Sequence, residues 1–301
     1  MFVYTDKPIE RGAEMNTEKK QRVMFIAFAF IWSFVFWVLS IILATKGNVE
    51  LLQNADLLKA ILKGTLGSEL RTITILSTLA GYGPAVATIF IIIVCPKTRN
   101  YFKNKFKLNT SFKYSLQILG LFIVISTVPA IPLAMANGLR GTTGWPISGL
   151  VLLFFIYQFI TSGTEELGWR GYLLPSILKE KTPWESSIHI GVVWALWHTP
   201  IVLYIFYVQG LPIPQIILSF IGFIAGTIAM SAVHTYYYLK TKNILFSMFI
   251  HAVSNTVPML VGVMVANSYK VSVAVQASLW VFVIVISKKN KQLFDNIYTD
   301  L

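Results

Sequence analysis

The sequence predicts an all-α polytopic membrane protein, a bundle of about eight transmembrane helices. Three observations carry this. The 301 residues are 55% hydrophobic and only 13% charged, with a mean hydropathy of +0.65, a composition suited to a bilayer. Apolar runs of about 20 residues, enough to cross the hydrocarbon, recur along the chain between short polar connections. Lys and Arg are dense in alternate connections and sparse in the others, as membrane topology demands.

In order, Met1 to Arg22 is polar and basic, and Val23 to Ala44 is the first span. No A-x-A-like site follows its apolar core, so it is expected to stay as an anchor and not to be cleaved as a signal peptide. Gly47 to Leu70 sets Leu51, Leu52, Leu58 and Leu62 against Asp56, Lys59 and Lys63 at helical spacing, the pattern of a short amphipathic helix on the membrane surface. The further spans are Ile73 to Cys95, Ser115 to Ala136, Pro146 into the acidic stretch described below, Ile188 to Tyr207, Ile216 to Tyr236, Ile244 to Ala266 and Val271 to Ile286. Pro84, Pro129, Pro132, Pro200 and Pro258 lie inside them and predict kinks. With no internal repeat, residues 23–287 read as one transmembrane domain with its motif-bearing core at about 146–266, flanked by cytoplasmic segments 1–22 and 288–301.

Eighteen of the 25 Lys and Arg fall before Val23 or in the connections on the same side as that segment, against six in the alternate connections. This places both termini in the cytoplasm of a multi-pass protein, and the bias toward Ile, Lys, Asn and Phe points to a bacterial cell membrane. The net charge of +12 is spread in short clusters between spans and makes no continuous nucleic-acid surface. Cys95 is the single cysteine, which excludes an internal disulfide and a cysteine-based zinc site.

One stretch breaks the apolar pattern from within: Thr164-Glu165-Glu166-Leu167-Gly168-Trp169-Arg170-Gly171. A charge in a membrane segment costs about 2.5 to 3.5 kcal/mol on insertion scales, so adjacent carboxylates there mark a functional site by default. A helix end at the headgroups is the competing reading, and the apolar sequence resuming from Gly171 to Leu178 speaks against it. Counted from the cytoplasmic edge of their spans, His198 is about 15 Å deep, His251 about 10 Å and Asn255 about 16 Å, at 1.5 Å per residue. His251 and Asn255 share a helical face. His189 points away from His198, and both His189 and His234 fall near the headgroups, where interfacial histidines are ordinary. Each deep histidine alone fits an interhelical hydrogen bond as well as catalysis. Together with Glu165, Glu166 and Asn255 they supply a carboxylate base, imidazoles to relay a proton and an amide to donate to an oxyanion. Glu166 lies one turn before Arg170 and pairs with it, while Glu165 points about 100° away and is left for a cavity.

In order and spacing, Glu165-Glu166-x-x-x-Arg170, Trp194-x-x-x-His198 and His251-x-x-x-Asn255 resemble the motifs of the CPBP intramembrane glutamic endopeptidases. That family comprises the type II CAAX prenyl endopeptidases and the bacterial Abi proteins linked to bacteriocin processing or self-immunity. Its second motif usually opens with phenylalanine, and Trp194 stands in that place. The resemblance covers Pro146 to Asn255. It implies a water activated by Glu165 and His198, an oxyanion held by His251 and Asn255, no cofactor, and a peptide or protein substrate that is membrane-associated or lipidated. With the loop charges, it also implies a polar cavity on the cytoplasmic side. Two other readings stand beside it. The same residues could ligate zinc, since two His and a carboxylate leave a position for water, although the spacing is not HExxH. The chain could also be a non-catalytic immunity or scaffold protein that keeps the fold.

Overall fold

The computed structural model describes residues 8–52, 57, 60–108, 112–139, 147–265 and 268–298. Met1, residues 53–56, 58 and 59 of the predicted surface helix, Arg140, Pro146, Ala266 and the last three residues of the tail lie outside them. All regular elements among the described residues are helical.

Helix α1 (Pro8–Gly47) has 40 residues, about 60 Å at 1.5 Å per residue, so it outruns the bilayer core. Helices α2 (Ser68–Gly81) and α3 (Gly83–Val94) are together apolar and long enough for one span and meet at a bend of 53°, where Pro84 has no N–H to give. Gly83 lets this bend approach α1: a Cβ there would meet the Ser33 hydroxyl and, at 2.8 Å, the Ala29 carbonyl. Helix α4 (Phe112–Asn137) contains Pro129 and Pro132. Helix α5 (Ile147–Ile160) gives way to a chain of short 3-10, α and π turns over residues 162–178. Helices α6 (Pro183–Trp197) and α7 (Thr199–Val208) form a second bent span, turned by 56°. Helices α8 (Ile213–Thr241), α9 (Ile244–Met264), α10 (Ser268–Lys289) and the short α11 (Lys291–Asp295) complete the bundle.

Four of these helices are long and apolar enough to cross a membrane, or six spans if each bent pair is one. The broken stretch 147–178 and α10 occupy the places of the other two predicted spans. Ile31, Leu116 and Leu218 are among the large apolar side chains on the outside, a surface that suits lipid.

The lysine-rich connections gather at one end. Lys179 pairs with Glu18 at 2.6 Å and Arg22 with Glu180 at 2.7 Å, joining the start of α1 to the turn before α6. Asn243 in the α8–α9 turn receives the Lys107 N–H at 3.3 Å and donates to the Lys107 carbonyl at 2.7 Å. The Tyr298 N–H reaches the Leu178 carbonyl at 3.2 Å.

About 610 Å³ of space begins at the buried carboxylate and extends to Leu52, Leu57 and Ser77, away from the lysine-rich end. Spacing along a span sets the depth of each polar side chain but not where packing leaves room beside it.

Candidate active site

The 3-10 turn Ser162–Glu165 hands the chain from α5 to the acidic motif. Gly168 seats that motif against the α3 bend, since a Cβ there would lie 2.7 Å from the Pro84 carbonyl oxygen. Glu165 and Glu166 then diverge, as helix geometry requires. Glu165 faces the cavity, and its Oε2 accepts the Trp194 indole N–H at 2.8 Å, with the Trp169 N–H farther off at 3.4 Å. Trp194, the aromatic that opens the second motif, therefore orients the carboxylate.

Glu166 is fully buried. Arg170 lies 3.0 Å from its Oε2, and the guanidinium also sits 5.2 Å over the Trp194 ring. His251 Nδ1 donates to Glu166 Oε1 at 2.9 Å. His234 Nδ1 lies 3.4 Å from Oε2, and His234 is fully buried rather than interfacial. The discrepancy is one of span length: α8 continues to Thr241, beyond the predicted edge at Tyr236, which sinks His234 about 10 Å below the helix end. His189 is exposed, as its helical phase predicts.

His198 ends α6, a helix started by Pro183 and a reciprocal Thr182–Glu185 capping box. Its Nδ1 bonds the Trp194 carbonyl at 2.9 Å. A carbonyl only accepts, so Nδ1 carries the proton and Nε2 keeps a lone pair. Pro200 cannot donate to the Leu196 carbonyl, and the Thr199 hydroxyl does so instead at 2.6 Å. Asn255 donates from Nδ2 to Gln158 Oε1 at 2.8 Å, and Ser162 donates to the same oxygen at 2.9 Å. Glu165, His198, His251 and Asn255 all line the one cavity.

Among the described residues no three His, Cys, Asp or Glu form a group able to hold a metal. His251 Nδ1 is committed to Glu166 and His198 Nδ1 to a carbonyl, which leaves Nε2 of each ring for other contacts.

The buried ion pair leads to a stability prediction. Glu166→Gln and Arg170→Gln are each expected to destabilise the protein by about 3 to 5 kcal/mol, because each strands a charge. The double variant is expected to lose less than the sum. Melting in detergent checks this, and strict additivity contradicts it.

A bundle of membrane-length helices around a buried acid, imidazole and amide cluster defines the class: a membrane-embedded protein with a hydrolase-like centre. Residues 147–257 match the family model described as Type II CAAX prenyl endopeptidase Rce1-like. The chain is also 25% identical over 186 residues to "CAAX prenyl protease 2" of Methanococcus maripaludis, an alignment covering 57% of this chain and 69% of that protein. Both matches agree with the resemblance to the CPBP/CAAX family of membrane proteases that the motifs carry.

Proposed function

We propose that the protein is an intramembrane endopeptidase that cleaves a membrane-associated peptide with a water molecule activated by Glu165 and His198. The observation that carries this reading is the convergence of side chains from three separate motifs on one cavity. Glu165 takes a proton from the water as its oxygen attacks the scissile carbonyl carbon, and His198 Nε2 accepts the water's other hydrogen bond. Negative charge then collects on the former carbonyl oxygen, where the Asn255 amide and His251 Nε2 donate. For Nε2 to donate while Nδ1 donates to Glu166, His251 must be an imidazolium, and Glu166 places a counter-charge beside it. The C–N bond breaks as Glu165 returns its proton to the leaving amine, which restores the carboxylate. Purified protein challenged with a quenched peptide library, with and without a metal chelator, tests the reading: chelator-resistant cleavage is expected, and chelator inactivation reversed by zinc contradicts the metal-free route.

Gln158 is a positioning residue in this scheme. Buried to 1% exposure in α5, it fixes one Asn255 N–H and so aims the other at the cavity. Gln158→Met removes the acceptor at similar volume and is expected to lower kcat roughly tenfold with KM little changed, since small misplacements near the reacting atoms are costly. Gln158→Glu, which keeps an acceptor oxygen, is expected to recover part of the loss. Wild-type kcat in Gln158→Met contradicts the role.

A further inference from the structure

We infer that Gln276 forms a substrate subsite: its side-chain amide hydrogen-bonds the backbone of the bound peptide three or four residues from the bond that is cut. The inference rests on the proposed peptidase reading of the cavity and adds a binding contact to it.

Three observations lead there. Gln276 is the one side-chain amide in the apolar run Val271 to Ile286 of α10, and it lines the cavity together with Val275 and Leu279. An amide in apolar surroundings needs a partner, yet Gln276 makes no hydrogen bond within the protein among the described residues. Other polar groups on the wall are committed locally. Thr227 Oγ1 donates to the Ile224 carbonyl at 2.8 Å, and Ser254 Oγ to the His251 carbonyl at 2.8 Å.

The facing helix makes room for this amide. Gly226 on α8 lies against it, and a Cβ there would stand 2.8 Å from both Cδ and Oε1 of Gln276. A side chain at position 226 would therefore push the amide out of place.

The amide also sits at a definite remove from the reacting groups. Gly226 is eight residues before His234, about 12 Å along α8 at 1.5 Å per residue, and the His234 ring packs against Trp194 and His251 at 6.2 and 6.0 Å. An extended peptide rises about 3.3 Å per residue. A chain lying along α8 with its scissile carbonyl at His251 and Asn255 thus brings a residue three or four positions away beside Gln276. A side-chain amide both donates and accepts, so it can bond a backbone N–H and C=O whatever side chain the peptide carries there.

Peptide binding in detergent tests the inference. The probe is a fluorescent, unquenched peptide with the tightest-binding sequence of the library, and its Kd is read by anisotropy in the Glu165→Gln background, where the peptide stays intact. Gln276→Leu is expected to weaken binding roughly tenfold, with a melting temperature near that of the parent. Gly226→Ala is expected to weaken it as well, because the added methyl meets the far end of a flexible side chain and displaces the amide while the helices stay. Combined with Gln276→Leu it is expected to add almost no further loss. N-methylation of the peptide, one backbone amide at a time, locates the contact. One position is expected to weaken binding to the parent but not to Gln276→Leu, a coupling that a residue with a merely structural role does not show, and it falls three or four residues from the bond that wild type cuts. Undiminished binding by Gln276→Leu, equal N-methylation losses with and without the amide at every position, a coupled position next to the cut, or no binding by any peptide overturns the inference. Because Kd is measured without turnover, a wild type that binds but does not cleave sinks the peptidase reading and leaves the Gln276 contact standing.

Discussion

Asn255→Ala is expected to lower kcat by roughly 10² to 10³ with little change in KM, the loss typical of removing one oxyanion donor. The effect falls on kcat because the donor meets full negative charge only once the tetrahedral intermediate forms. The geometry sharpens this expectation. Asn255 lines the cavity one helical turn after His251, and its amide is held by Gln158 at 2.8 Å, so little is spent on reorienting it during the reaction. Because both residues act through the same N–H, adding Gln158→Met to Asn255→Ala is expected to cause almost no further loss. Steady-state kinetics on one peptide decides the matter: a raised KM at unchanged kcat means that Asn255 only positions substrate.

Much of this site is legible in the order and spacing of the residues alone. Glu166 and Arg170 are paired because i,i+4 side chains on a helix must meet, and the pairing holds although Arg170 lies within the π turn at Trp169–Leu173. The separation of Glu165 from Glu166 follows from the same 100° step. Contact between helices is what spacing cannot supply. The Trp194 indole on Glu165 joins residues 29 apart, and the Gln158 to Asn255 bond joins residues 97 apart. Gln158 does leave a trace, as a lone amide in the otherwise apolar run Ile147 to Ile160. His234 lies deeper than its hydropathy profile suggests, because hydropathy marks where lipid contact ends and not where a helix ends. Where empty space lies in the bundle is not legible either, because it depends on how the bent pairs at Pro84 and Pro200 pack.

The largest effect is expected at Glu165. Its carboxylate is 4% exposed and is held by the indole N–H groups of Trp194 and Trp169. Replacement by Gln keeps the volume and the carbonyl oxygen that Trp194 needs, removes the base, and strands no charge, in contrast to Glu166→Gln. Stability and catalysis should therefore separate at this position: a melting temperature near wild type, and no hydrolysis. A loss of both together would assign Glu165 to the structural network around Arg170. The decisive measurement is turnover of a quenched peptide substrate by purified wild type and by Glu165→Gln at equal folded concentration, with melting recorded on the same samples. The expected result is cleavage by wild type alone from two equally stable proteins. Substantial cleavage by Glu165→Gln, or none by wild type across the library, would contradict the mechanism, and in the second case the chain is a membrane protein that keeps the fold without the chemistry.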